Sequence, residues 1–121
     1  MSQSVLLTVA RKSIEEVLQA ESSIDRDKLL EEYPILNEVI GTQIILYLND
    51  KVRGTAKTET PIRPLLDDII VNAKLAAFQD TDFLPISTSE YLHTAIELII
   101  FSAEGPLSHK DDPVLKEHLS N

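Results

Sequence analysis

The sequence predicts an α+β fold, in which helices flank a small, largely antiparallel β-sheet. Its length of 121 residues, with 43% apolar side chains, is typical of one domain with one hydrophobic core. The class follows from a β-hairpin predicted at about 41–58, a strand at about 94–102, and helices at about 4–20 and 65–79. Each of these elements has its own local pattern.

The first helix, at about 4–20, is predicted from apolar side chains at helical spacing. Arg11 is expected to point away from the core with the other polar residues of this helix. A second, shorter helix is predicted from its capping residue Asp25 through Glu32, because Pro34 disfavours helix in the residue before it. The chain therefore starts with two helices before its first strand.

The hairpin is predicted from a run of β-forming residues at 41–48, a turn at 49–51 and a returning strand at 52–58. A tight turn of this kind joins antiparallel strands. Pro61 and Pro64 then exclude a continuation of the strand ladder, because proline has no backbone N–H to donate.

The helix at about 65–79 has a broad apolar stripe with several alanines, which predicts close packing against the sheet. Asp67 and Asp68 lie in its first turn, where the helix dipole favours negative charge. After this helix, Phe83 and Pro85 are expected to fill the core.

The C-terminal third is predicted to contain a short helix, a strand and a terminal helix. Ser87 and Glu90 match a capping box that starts the short helix. The strand at 94–102 alternates between two largely apolar faces. Gly105-Pro106 is expected to end this strand, and the terminal helix is predicted at 114–119.

Composition excludes several classes of function. With 20 acidic and 11 basic residues, the net charge of −9 argues against binding to nucleic acid or to an anionic membrane. The absence of cysteine excludes disulfides, thiolate metal sites and a cysteine nucleophile, and favours a cytoplasmic location. The longest apolar run, at 44–48, is far shorter than a membrane span. The three histidines lack metal-binding spacing, so no metal or cofactor is expected.

Four short motifs occur in a characteristic order. They are Arg53-Gly54 in a strand, Arg63-Pro64 at a helix start, Asn72-Ala73 in that helix, and Asp80-x-x-Phe83-x-Pro85 after it. This order resembles the AMMECR family, named after the Alport, midface hypoplasia and elliptocytosis chromosomal region. The resemblance covers about 41–107 and implies a single domain, spanning 1–121, that lacks the C-terminal segment of the family.

The signature strand of that family reads Leu-Arg-Gly-Cys-Ile-Gly, and residues 52–57 of this chain align with it. Only Arg53 and Gly54 match outright. Thr55 stands in the position of the cysteine, so any thiol chemistry of the family does not carry over. A threonine hydroxyl is a poor nucleophile without a positioned base.

The candidate site lies around this strand. Arg53, Lys57 and Arg63 are expected to converge where the hairpin leads into the next helix, as donors for a carboxylate or phosphate. The predicted ligand-binding residues are Arg53, Gly54, Thr55, Lys57, Arg63 and Asn72. A second interpretation treats the cations as solvated charges that balance an acidic protein. It also treats Asn72 as a structural link between helix and hairpin.

Two functions remain open at this level. The first is a small cytoplasmic module that binds a small anionic ligand or another protein, including a second copy of the chain through an uncovered sheet face or edge. The alternative is an enzyme or an accessory subunit acting on a small substrate, which the resemblance implies through the family's association with Memo-type and radical-SAM proteins. No catalytic residue is assigned.

Overall fold

The computed structural model describes residues 4–115. The helices are α1 (Val5–Gln19), α2 (Arg26–Glu32), a 3₁₀ turn (Pro34–Asn37), α3 (Leu65–Phe78) and α4 (Thr88–Leu92). The strands are β1 (Thr42–Leu48), β2 (Lys51–Lys57), β3 (Thr94–Ser102) and β4 (Gly105–Lys110). In the terminal helix predicted at 114–119, residues 116–119 lie outside the described part of the chain.

The four strands form one antiparallel sheet in the order β2-β1-β3-β4, which confirms the α+β class. β1 and β2 form the predicted hairpin, with Asn49 and Asp50 at φ angles of 52° and 65° in the turn. Left-handed residues at both turn positions match the right-handed twist of the strands they join. β1 of the hairpin and β3, the strand predicted at about 94–102, are neighbours at the centre of the sheet.

The capping residues start two of the helices as predicted. Asp25 accepts a hydrogen bond from the backbone N–H of Lys28 at 3.1 Å. Ser87 and Glu90 form the predicted capping box, each side chain accepting from the other residue's backbone N–H at 3.1 Å. These bonds satisfy N–H groups that have no partner inside the helix.

β3 ends at Ser102, before Gly105-Pro106 as predicted, but a further strand, β4, follows that the sequence did not predict. The chain turns back there, with Gly105 at a φ of 116°, and β4 pairs with β3 from Ser102↔Gly105 to Glu97↔Lys110. Proline is compatible with this strand because β4 is at the edge of the sheet, where one side of the backbone needs no partner.

Two further expectations about burial are wrong. Phe83 is 42% exposed and Pro85 is also exposed, while Ile86 fills the core after α3. Arg11 is buried instead of solvated, because its guanidinium binds Asp111 through Nε at 2.8 Å and Nη2 at 3.0 Å. It also donates to the carbonyl of Thr94 at 2.7 Å, so this cation joins α1 to the sheet.

The helices pack on one face of the sheet. α3 lies over β1 and β2, and α1 packs against α3 and β3. The core side chains of β1 and β3 point towards these helices, and they are Ile44, Leu46, Ile96, Leu98 and Ile100. Within residues 4–115, no helix packs as a layer on the opposite face. No helix in this range is long and apolar enough to cross a membrane.

We call that opposite side the open face. Its side chains alternate with those of the core, and on β1 and β3 they are half-buried. The residues of the open face used below are Ile45, Tyr47, Thr55, Lys57, Glu97, Ile99, Phe101, Ser108 and Lys110.

Candidate functional site

The six predicted ligand-binding residues do not meet at one point. Thr55 and Lys57 are exposed on the open face, whereas Gly54 and Asn72 are buried between β2, β1 and α3. The other two residues make ion pairs within the protein, at different places: Arg53 pairs with Glu90 and Arg63 pairs with Asp68.

Arg53 holds the loop after α3 against the edge of the sheet. Its Nε and one Nη donate to the two carboxylate oxygens of Glu90, at 3.1 and 3.0 Å, and the same Nη donates to the carbonyl of Leu84 at 2.8 Å. Its guanidinium also lies 5.3 Å from the ring centre of Phe83. The hydrogen bond from Arg53 lowers the pKa of Glu90.

The position of Arg53 depends on an irregularity in the hairpin. The register of β1 and β2 shifts between Leu46 and Tyr47, so that Leu46 faces Gly54 while Tyr47 faces Val52. Arg53 is therefore an extra residue in β2. A bulge of this kind redirects one side chain out of the normal alternation, and here Arg53 reaches α4 and the preceding loop.

Gly54 lies where the backbone of α3 crosses β2. A Cβ atom at this position would collide with the carbonyl oxygen of Ala76, which belongs to backbone and cannot rotate away. Glycine allows this close approach of helix and strand.

The loop after α3 also protects part of the β2 edge. The backbone N–H of Thr55, next to Gly54, donates a hydrogen bond to the carboxylate of Asp80 at 3.0 Å.

Asp68 is the centre of a buried polar network that joins α3 to β1 and to the end of β2. Its carboxylate accepts hydrogen bonds from the N–H and hydroxyl of Thr42, both at 2.8 Å, and from the hydroxyl of Thr58 at 2.8 Å. Arg63 adds a longer bond of 3.3 Å. Because Asp68 is fully buried, these donors are what make its charge tolerable.

Asn72 completes this network and supports the structural interpretation of that residue. Its amide donates to the hydroxyls of Thr42 and Thr58, both at 2.9 Å, and lies 3.2 Å from the carbonyl of Thr42. The sequence assigns Asp68 to the helix dipole, and it predicts that Asn72, four residues later on the same side of α3, can reach the hairpin.

The open face has a polar cluster at its centre. Glu97 accepts hydrogen bonds from the hydroxyl of Tyr47 at 2.8 Å and from that of Ser108 at 2.6 Å. The bond from Ser108, followed by that from Tyr47, lowers the pKa of Glu97, and the bond to Glu97 raises the pKa of Tyr47. Lys110 Nζ lies 4.8 Å from the ring centre of Tyr47. The prediction missed Ser108 and Lys110 because β4 was not predicted.

Lys57 lies at the other side of the open face. Its Nζ is 5.2 Å from the ring centre of Phe101, a distance typical of a cation–π contact. Ile45 and Ile99 lie between Lys57 and the Glu97 cluster, in neighbouring strands. The face therefore combines aliphatic side chains with two lysines and one carboxylate that already accepts two hydrogen bonds.

Residues 4–115 contain no group of three or more histidine, aspartate or glutamate side chains that are placed to hold a metal ion. The carboxylates of Asp68, Glu90 and Glu97 are instead bound by donors of the protein itself.

Comparison with known proteins gives a family without a known activity. The AMMECR1 family model matches residues 7–118. The crystal structure of the uncharacterised protein PH0010 from Pyrococcus horikoshii is similar, with a TM-score of 0.71 and 29% sequence identity. The match covers 79% of this chain and 49% of that one, so this chain spans about half the length of PH0010. No curated protein matches. Since the family model covers nearly all of the sequence, the chain belongs to the AMMECR1 family.

Proposed function

We propose that this chain is a protein-interaction module whose open face binds an acidic, partly apolar segment of a partner protein. The observation that carries the proposal is the character of the open face, which has no helix layer over it within residues 4–115 and combines apolar side chains with two lysines in an acidic chain. Thr55 and Lys57, two of the residues selected from the sequence, belong to it.

The apolar content of the open face supports a binding role. An antiparallel sheet with one face in water commonly alternates apolar side chains on the core side with polar ones on the water side. Here the outer positions of β1 and β3 include Ile45, Ile99 and Phe101, next to the polar Gln43 and Glu97. Contiguous apolar side chains bordered by polar ones are typical of surfaces that bind other proteins.

The charge of the open face indicates an acidic partner. The face carries Lys57 and Lys110 against one acid, Glu97, in a chain with a net charge of −9. Glu97 lies opposite Lys110 in the β3–β4 pair, and this leaves the charge of Lys57 without a facing carboxylate on neighbouring strands. An acidic segment would be attracted here and repelled by most of the remaining surface.

The other residues selected from the sequence would support this face from behind. Gly54 and Asn72 bring α3 close to β2 and β1, Arg63 contacts Asp68, and Arg53 anchors the loop beside the β2 edge. In this proposal they position Thr55 and Lys57 without touching the partner.

The experiment is an NMR titration with a 12-residue peptide of alternating glutamate and leucine, compared with its lysine–leucine counterpart. We expect the acidic peptide to shift the amide signals of Thr55, Lys57, Ile99 and Phe101. Lys57→Glu should weaken binding by about fivefold or more, since it reverses the charge that meets the peptide. The matched control is Lys51→Glu, because Lys51 faces Leu48 on the other side of the sheet.

Two results would contradict the proposal. One is equal binding of the acidic and basic peptides, or shifts confined to surfaces other than the open face. The other is a dimer in native mass spectrometry that Ile99→Asp dissociates, without any binding of the acidic peptide. That second result would assign the open face to another copy of this chain.

A further inference from the structure

A cavity of about 150 Å³ lies on the helical side of the molecule, between the C-terminal half of α1, α4 and the segment that follows β4. We propose that it binds a small primary ammonium ion with a short aliphatic chain. A cavity of this volume holds a ligand of about six non-hydrogen atoms, the size of benzene. This site is separate from the open face and does not depend on the function proposed for it.

The walls of the cavity match the two ends of such a ligand. Leu18, Leu92 and Val114 supply an apolar surface for the aliphatic chain. Glu15 supplies a carboxylate, the ring of Tyr91 lies beside it, and the lining is completed by Gln19 and Thr88. Small-molecule sites in proteins commonly combine apolar and aromatic side chains with a small number of polar groups that fix the orientation of the ligand.

Glu15 has acceptor capacity left for an ammonium group. The hydroxyl of Tyr91 donates to Glu15 Oε2 at 2.6 Å. Burial of Tyr91, followed by this hydrogen bond, raises the pKa of Tyr91, so the hydroxyl stays a neutral donor at physiological pH. An ionised carboxylate has about four acceptor positions, and within residues 4–115 Glu15 Oε1 accepts no hydrogen bond.

The nearby cation does not neutralise Glu15. The guanidinium of Arg11 lies 5.2 Å from the ring centre of Tyr91, but it is already paired with Asp111 through two hydrogen bonds. It also donates to the carbonyls of Thr94 and Asp112. Arg11 and Asp111 together carry no net charge, so the carboxylate of Glu15 is the charge that a ligand entering the cavity would meet.

The cavity is held open by bonds among the three segments that form it. The backbone N–H of Leu115 donates to the carbonyl of Leu92 at 2.7 Å, and Arg11 binds the carbonyl of Asp112 at 3.1 Å. Together with the bond from Tyr91 to Glu15, these contacts fix α1, α4 and the segment after β4 relative to one another. A site formed before the ligand arrives loses less entropy on binding.

The test is an NMR titration of the full chain with pentylammonium chloride, in parallel with 1-pentanol, which has the same number of non-hydrogen atoms and no charge. We expect saturable binding of pentylammonium in the millimolar range, with shifts at Leu18, Tyr91, Leu92 and Val114. Pentanol should bind at least about tenfold more weakly, because its hydroxyl can donate a hydrogen bond to Glu15 but carries no positive charge to pair with the carboxylate.

Two variants and one control identify the site. Glu15→Gln should weaken pentylammonium binding by about tenfold or more. Val114→Phe should abolish it by filling the cavity while leaving the charge in place. The control is Glu31→Gln, which makes the same change of charge at an exposed position on α2. Thermal melting checks that each variant is folded.

Three outcomes would overturn the proposal. Equal affinity for pentanol and pentylammonium would make the cavity an apolar space without selectivity for a cation. Undiminished binding by a folded Glu15→Gln or Val114→Phe variant would place the ammonium elsewhere. Absence of saturable binding up to tens of millimolar would show that the cavity takes no ligand of this class.

Discussion

Arg53 and Glu90 form a two-bond ion pair, at 3.0 and 3.1 Å, although 37 residues separate them in the sequence. The same carboxylate accepts the backbone N–H of Ser87 in the capping box. One glutamate thus joins the start of α4 to the edge of β2, and Arg53 also binds the carbonyl of Leu84 in the loop between α3 and α4. The arginine that resembled a ligand donor is an internal link between three segments.

Arg53→Ala should lower the free energy of unfolding by about 2–3 kcal/mol. The arginine side chain is 10% exposed, so its loss leaves the carboxylate of Glu90 and the carbonyl of Leu84 with fewer donors. The measurement is urea denaturation. The matched control is Arg26→Ala, which removes an ion pair with Asp67 at an exposed site and should cost less than about 1 kcal/mol. Equal losses in the two variants would contradict this role of Arg53.

The contribution of Glu90 should depend on pH. Its hydrogen bond from Arg53, and then that from Ser87, holds its pKa below the ordinary value of 4.5 in the folded protein. The stabilisation is therefore present above about pH 4.5 and is lost as the pH falls through the lower, folded value. Glu90→Gln should be less stable than the parent at pH 7, and the gap should narrow below about pH 4.

Urea denaturation of both proteins at a series of pH values checks this prediction. Comparing the two proteins at each pH removes the contribution of other carboxylates, such as Glu97, whose pKa is also lowered. A gap that stays constant from pH 7 to about pH 3 would show that the charge of Glu90 does not matter to its role.

Gly54→Ala should be among the most damaging substitutions of a small residue in this chain. The added methyl would overlap the carbonyl oxygen of Ala76, so α3 would have to move away from β2. We expect a loss of about 3 kcal/mol or more, or failure to fold. The control is Gly41→Ala, where the nearest atom is a side-chain carbon of Pro61 at 3.3 Å and the loss should be smaller. Thermal melting ranks the two, and the reverse order would contradict the close approach.

Replacing Asp68 by Asn should lower the free energy of unfolding more than the same replacement at Asp67. Asp68→Asn replaces one acceptor oxygen by an amide that faces the donors of Thr42 and Thr58, and should cost about 2–3 kcal/mol. Asp67→Asn weakens the partly exposed pair with Arg26 and the interaction with the helix dipole, and it should cost less than about 1 kcal/mol. Chemical denaturation of the two variants measures the difference. Similar losses would mean that the buried network contributes little.

Elements defined by nearby residues were predictable from the sequence. The capping box of Ser87 and Glu90, the end of α2 before Pro34 and the alternation of β3 all depend on residues within a few positions of one another. β4 was missed because a proline next to a glycine signals the end of a strand unless that strand lies at the edge of a sheet. Edge position is a property of the whole sheet.

The charged residues were less predictable because they pair with residues that are distant in the sequence. The helical pattern predicts that Arg11 is solvated. In the structure it is buried and pairs with Asp111, which is 100 residues away in the sequence. Arg53 and Lys57 are four residues apart in one strand. Because of the bulge, Arg53 binds Glu90 of α4, whereas Lys57 lies on the open face. Local patterns contain no information on these contacts.

By itself, the sequence determined the α+β class, the main helices and strands, the acidic character and the resemblance to the AMMECR family. These depend on the periodicity of apolar residues, on caps and turns, and on short motifs, all of which act over a few residues. Only the tertiary structure decided which face of the sheet the helices cover, which cations are internal links, and how Glu15 meets Tyr91 beside a cavity. Those features arise when distant segments pack together, because ion pairs, cavities and close backbone approaches depend on distance in space.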